Sequence, residues 1–235
     1  MVRRTALAVS FGAALSAAPA SACDVALVLA LDVSGSVDAV EYRLQARGLS
    51  EALGDPIVSE ALVTARALVA VVQWSGKPHQ QVVVPWTATD THEDVAALRA
   101  DVEAAPRAFI NYSTGIGEAM RVSIDLFETA PRTCRRKVID VSGDGPSNEG
   151  SDPEALRARL DAAQITVNGL AIEGSEDGIA EYYRNHVAHG LGSFVEVAKN
   201  YKDFPRAIRK KLLRELADRL ASATKPGTST GGSIR

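Results

Sequence analysis

The stretch "CDVALVLALDVSGSVD" restricts the possible folds more than any other part of this chain. Its run from Val25 to Leu31 shows no polar alternation, the pattern of a strand buried on both faces of a helix-covered sheet. It then meets Asp32, Ser34 and Ser36, three oxygen side chains at alternate positions. Such a group either caps the following helix or holds a hard cation.

Downstream, apolar strands alternate with amphipathic helices. After strand one (23–32) a helix is expected over 38–53, with Val40, Leu44 and Leu53 facing inward. Strand two is "ALVAVVQW" (67–74) and strand three "QQVVVPW" (80–86). The Gly76-Lys77-Pro78 link between them is too short for a helical crossover, so these two form a hairpin. Pro85 puts strand three at a sheet edge. Helices follow over 91–103 and from Thr114 to about Glu128, then strand four, "RKVIDVS" (136–142). "DPEALRARLDAA" reads as a helix with Asp152 as N-cap and Pro153 in its first turn. Strand five is 165–172, a helix spans 177–190, and strand six is 193–198. The last helix carries Phe204, Ile208, Leu212, Leu216 and Leu220, and the Lys and Arg residues between them are expected on its solvated side. This order predicts one α/β domain, a doubly wound, mostly parallel six-stranded sheet with one antiparallel edge strand.

The length of 235 residues suits one such domain, and a formal charge of −3 offers no attraction for nucleic acid. Residues 1–22, "MVRRTALAVSFGAALSAAPASA", have the basic start, apolar middle and Ala20-Ser21-Ala22 cleavage pattern of a signal peptide. Their apolar run falls short of a membrane span, so no transmembrane segment is expected in the mature chain. Removal leaves 24 basic against 29 acidic residues, a net −5. The expected organisation is a signal peptide (1–22), one domain (23–221) and a disordered, Gly-rich polar tail (222–235). The location is periplasmic or secreted. The two cysteines are Cys23 and Cys134. Cys23, first after the proposed cut, either is lipidated, giving an anchored lipoprotein, or pairs with Cys134.

Past the carboxyl ends of the strands, three segments deliver oxygen side chains: Asp32, Ser34 and Ser36 after strand one, Thr114 in "NYSTGIGEAM", and Asp144 in "VIDVSGDGPSNEG". Together they resemble the metal-ion-dependent adhesion site of von Willebrand factor A domains, in order and in strand placement. The resemblance runs from about Asp24 to Leu220. "VAVVQWSG", "VVVPW" and "TVNGLAI" are similar to a branch of exported bacterial members with no assigned function. It implies that Ser34, Ser36 and Thr114 bind one Mg²⁺ or Mn²⁺ through their hydroxyls, while Asp32 and Asp144 act mostly through water. Two carboxylates only just balance a divalent charge, which leaves the ion open to an acidic group, a carboxylate, of a protein partner. The competing expectation is a Mg²⁺-dependent hydrolase of a phosphorylated or acidic substrate. Taken singly, these residues are also ordinary caps and turns: Ser36 or Asp38 for the first helix, Thr114 for a later one, Asp144-Gly145 as a turn.

Other chemistry finds less support. "DVSGDG" (140–145) begins like an EF-hand loop, but Ser151 stands where a bidentate Glu is required. Asp140, among Val138, Ile139 and Val141, either buttresses the site or meets an Arg. The four histidines (His79, His92, His186, His189) lack the partners of a zinc site, and His186 and His189 suit a helix end. No G-x-S-x-G elbow occurs, and Gly115-x-Gly117 lacks a third glycine, so no enzymatic signature is found. Trp74 and Trp86, at strand ends, are expected in the core.

In the von Willebrand A fold strands one and four are parallel neighbours. Asp32 lies nine residues after Cys23 and Asp144 ten after Cys134. Both cysteines therefore fall at the opposite end of adjacent strands, where strand spacing suits a disulfide. The resemblance thus favours a Cys23–Cys134 bond, which excludes lipidation of Cys23.

Overall fold

The computed structural model describes residues 23–110, 112–174 and 176–223, with the backbone alone from 218. The expected signal peptide lies outside the described residues, as does the expected tail (222–235) apart from Ser222 and Ala223, which continue the last helix. Strand β1 (Cys23–Asp32) is buried along its whole length and lies at the centre of a sheet ordered β3-β2-β1-β4-β5-β6. The others are β2 (Leu68–Trp74), β3 (Gln80–Ala88), β4 (Cys134–Gly143), β5 (Ile165–Ile172) and β6 (Val195–Ala198). All neighbours pair in parallel except β2 and β3, the expected edge hairpin. Pro85 sits where that ladder slips, between the pairs Val69–Thr87 and Val71–Val84, so its missing donor disturbs no regular pair.

Side chains of β1 divide by parity. Val25, Leu27, Leu29 and Leu31 face one core, with α1 (Ala39–Leu53), α2 (Pro56–Ala65), α3 (His92–Ala104) and α7 (Phe204–Ala223). Ala26, Val28 and Ala30 face the other, with α4 (Ile116–Leu126), α6 (Ile179–Tyr182) and the π-turn Tyr183–Val187. Helix α5 (Arg157–Ala163) adds Leu160 to that second core. Helices on both faces explain the unbroken hydrophobicity of β1.

Four details depart from the sequence reading. Helix α2 was not foreseen; it is capped by Asp55, whose side chain accepts from the amides of Ile57 and Val58, and Pro56 fills its first turn. In α1 the buried stripe is Gln45, Leu49, Ala52 and Leu53, and Val40 is 55% exposed, off that stripe in the first turn. Asp152 precedes a 3₁₀ turn (Pro153–Leu156), and its side chain makes no capping bond. The basic residues of α7 are not all solvated. Lys211 is wholly buried, 2.8 Å from Asp140 and 2.7 Å from Glu215. Asp140 therefore meets a lysine, not an arginine.

Cys23 and Cys134 stand opposite each other in the β1–β4 register and form a disulfide, Cα atoms 4.5 Å apart. The sulfur of Cys23 is thus engaged as the disulfide expectation has it, a bond that is incompatible with a lipid on the same atom. Trp74 is fully buried in the core as expected, whereas Trp86 is half-buried, packing against the second core and donating from its indole to the Leu126 carbonyl.

Candidate functional site

The sheet reverses its winding at β1 and β4: β2 lies to one side of this pair, β5 and β6 to the other. The crevice beyond their carboxyl ends is where open α/β sheets place ligands. The register sets Leu31 beside Ser142, so Asp32 ends its strand level with Gly143 and one residue short of Asp144. The five oxygen residues meet there. The Ser34 amide donates to Asp32 Oδ1 at 2.7 Å, and the Ser34 and Ser36 hydroxyl oxygens are 3.2 Å apart. Thr114 Oγ1 donates to Ser34 Oγ at 3.4 Å, and Ser36 Oγ donates to Asp144 Oδ1 at 2.7 Å. One connected chain of contacts joins residues from three separate segments.

The backbone around this cluster is clamped. Gln45, buried on α1, donates to the Asp32 carbonyl at 2.9 Å. Arg107 Nη2 donates to the carbonyls of Val33 and Ser34. The Gly35 amide reaches the Tyr112 carbonyl at 2.8 Å, and the Thr114 amide donates to Asn148 Oδ1 at 2.9 Å. Gln45 and Arg107 were missed in the sequence; the signal for Gln45 was a polar residue on the inward face of α1.

The capping explanation does not use these oxygens. Asp38 caps α1, in a reciprocal box with Glu41, and Gly115 occupies the N-cap of α4. Ser34, Ser36 and Thr114 are left for each other and for the two carboxylates.

Asp32 is fully buried, with no ion pair among the described residues. Burial, then the nearby Asp144 carboxylate, push its carboxyl up to about 7, against hydrogen bonding from Ser34 and from the Asp144 backbone that lowers it. Its Oδ2 has no hydrogen-bond partner. Burial and the same two carboxylates also push up the hydroxyls of Tyr183 and Tyr201. A buried carboxylate with an orphaned oxygen, a second carboxylate beside it and three converging hydroxyls match the donor set of a hard cation. Ser36 opens the cluster to solvent.

The competing motifs do not assemble. Asp140 lies within β4 and is engaged by Lys211, so no EF-hand loop forms. His186 approaches Glu154, His189 meets Asp161, His92 meets Ser59, and His79 stacks on Tyr112 with ring centres 3.6 Å apart. Among the described residues no group of three or more His, Cys, Asp or Glu side chains gathers to hold a metal, so the candidate centre depends on its hydroxyls.

A model of the family described as "Protein of unknown function (DUF1194)" matches residues 22–220. No curated protein matches the sequence. Among solved structures the chain is similar to a von Willebrand factor type A protein from Catenulispora acidiphila (20% identity, TM-score 0.58), covering 82% of this chain and 43% of that one. It is also similar to proximal thread matrix protein 1 from the mussel byssus, in a form with a zinc-occupied MIDAS motif (15% identity, TM-score 0.57; 83% of this chain, 47% of that). A third is an aerotolerance-related membrane protein from Bacteroides fragilis (20% identity, TM-score 0.53; 81% of this chain, 99% of that). The chain spans less than half the length of the first two. These likenesses establish the fold, that of a von Willebrand A domain.

Proposed function

Because the chain belongs to the DUF1194 family and has the von Willebrand A fold, we propose that it is a non-enzymatic binding protein that holds Mg²⁺ or Mn²⁺ at Asp32, Ser34, Ser36, Thr114 and Asp144. Through that ion it takes an acidic group of a protein partner. The observation that carries this reading is the unbroken chain of three hydroxyls and two carboxylates around the orphaned Asp32 Oδ2. The bound cation supplies the positive charge that the cluster lacks and a position for the partner's carboxylate. Ile110 (60% exposed) and Tyr112 (47% exposed) lie on the segment that hydrogen-bonds to Gly35, where a partner would also find apolar contact.

The hydrolase alternative is less favoured, since Arg107 Nη2 is committed to the Val33 and Ser34 carbonyls instead of being free to clamp phosphate. A periplasmic or secreted location agrees with the disulfide, a bond of oxidising compartments, and no helix among the described residues is long and apolar enough to cross a membrane.

Calorimetric titration of Mg²⁺ and Mn²⁺ into residues 23–235 tests the reading. We expect saturable one-site binding, weakened at least about tenfold in Ser34→Ala and Asp144→Ala while both variants stay folded. No binding by the parent protein, or equal binding by both variants, would overturn it.

A further inference from the structure

Tyr183 is the first residue of the π-turn after α6, and its ring is fully buried against the carboxyl ends of β4 and β5. Two glycines on those neighbouring strands make room for it. A Cβ at Gly169 would stand 2.8 Å from Tyr183 Cδ1, and one at Gly143 would stand 2.5 Å from the Tyr183 hydroxyl. Glycine within a strand weakens it, and here each marks a close approach by the same side chain. The ring is thereby laid across β4 and β5 with its hydroxyl directed at the end of β1.

The same point at Gly143 lies 2.7 Å from Asp32 Oδ2. The two distances add to 5.2 Å, so the tyrosine hydroxyl and the carboxylate oxygen are no farther apart than that. Neither atom has a hydrogen-bond partner, so the two are not bonded directly to each other, and both are buried. A phenylalanine would fill the space between the glycines equally well. A buried hydroxyl is costly unless it is bonded, and Asp32 Oδ2, itself without a donor, lies close enough to be joined to it by one water. π-turns of this kind are frequent at functional sites.

We propose that Tyr183 is a positioning residue for the cation site, its hydroxyl donating a hydrogen bond to a single water that in turn donates to Asp32 Oδ2. It fixes the carboxylate so that Oδ1 and its charge face Ser34 and the ion. This rests on the cation reading above, and it adds a residue from outside the five-residue pattern.

The test is Tyr183→Phe in residues 23–235, read in two ways. Mg²⁺ and Mn²⁺ are titrated calorimetrically into parent and variant, and both are melted in EDTA. The expected result is a split: metal affinity about tenfold lower, with the metal-free melting temperature unchanged or higher, because an orphaned buried hydroxyl has been removed. A residue that merely packs would move both readings down together or leave both alone, and either outcome overturns the proposal. A crystal structure of the Mg²⁺-loaded parent provides the geometric check: a single water must bridge the Tyr183 hydroxyl and Asp32. If the parent protein binds neither metal, the cation reading falls and this inference with it. If the parent binds and Tyr183→Phe binds equally, only this inference is lost.

Discussion

Replacing Lys211 with methionine is expected to lower the unfolding free energy by about 3–5 kcal/mol, the cost of leaving buried charge without its partner. Lys211 Nζ is the cation between Asp140 on β4 and Glu215 one turn along α7, and all three side chains are buried. Asn168 on β5 donates to Glu215 Oε1 at 2.8 Å, so the triad fastens α7 to two central strands. Without the lysine, two carboxylates face each other away from water. For a chain of this size the loss corresponds to a fall in Tm of about 10 °C. The size of the defect should depend on pH, and the sign follows from Asp140. Burial pushes its carboxyl up to about 7 even though Lys211 pulls it down, and Glu215 pushes it further. A carboxyl raised in the folded state holds its proton there longer than in the unfolded chain, so stability falls as pH climbs from about 4 to about 7. Deleting Lys211 removes the pull that lets Asp140 ionise. The gap between variant and parent must therefore widen from pH 5 to pH 8 in denaturant titrations. A gap that narrows, or a loss below about 1 kcal/mol at pH 8, would show that the triad does not carry this weight. The triple replacement Asp140→Leu, Lys211→Met, Glu215→Leu should recover much of the loss, since apolar groups of like volume replace a buried ion cluster at little cost.

Loss of the Cys23–Cys134 bond should be of comparable size. The two cysteines are 111 positions apart in sequence, and constraint of so long a loop in the unfolded chain is worth up to about 5 kcal/mol. The Cys23→Ser, Cys134→Ser double variant is expected to melt about 10 °C below the oxidised parent and to show no further shift with reductant, whereas the parent should drop to the same value when reduced. Identical melting of reduced and oxidised parent would contradict this.

The parts of the fold that could be read from the sequence are those set by local pattern. β1 and β5 were placed to the residue, because each is an apolar run that starts and stops sharply. The edge position of β3 followed from Pro85 and a short turn. Helix α2 escaped notice although Asp55-Pro56 is a cap followed by a first-turn proline, and Val58, Leu62 and Ala65 form its buried stripe. Lys211 was misplaced because a stripe taken only every fourth residue omits the positions one residue before it. On a helix of 3.6 residues per turn, 211 and 215 lie on the same face as 208 and 212. The five oxygen residues were legible as strings at strand and helix ends, and the structure brings all five together. Tyr183 was not, since nothing in "EYYRNH" distinguishes it. Its position is made by Gly143 and Gly169 on other strands, and such a relation exists only after folding.

The disulfide joins the first residues of the two central strands, at the end of the sheet opposite the site. Its consequence under mechanical load is distinct from its contribution to stability. A pull on the backbone at Cys23 is shared covalently with β4, so β1 cannot be peeled from β4 one hydrogen bond at a time from that end. The two strands that lead to Asp32 and Asp144 are then drawn along as one piece, and tension on this end reaches the crevice without sliding one carboxylate past the other.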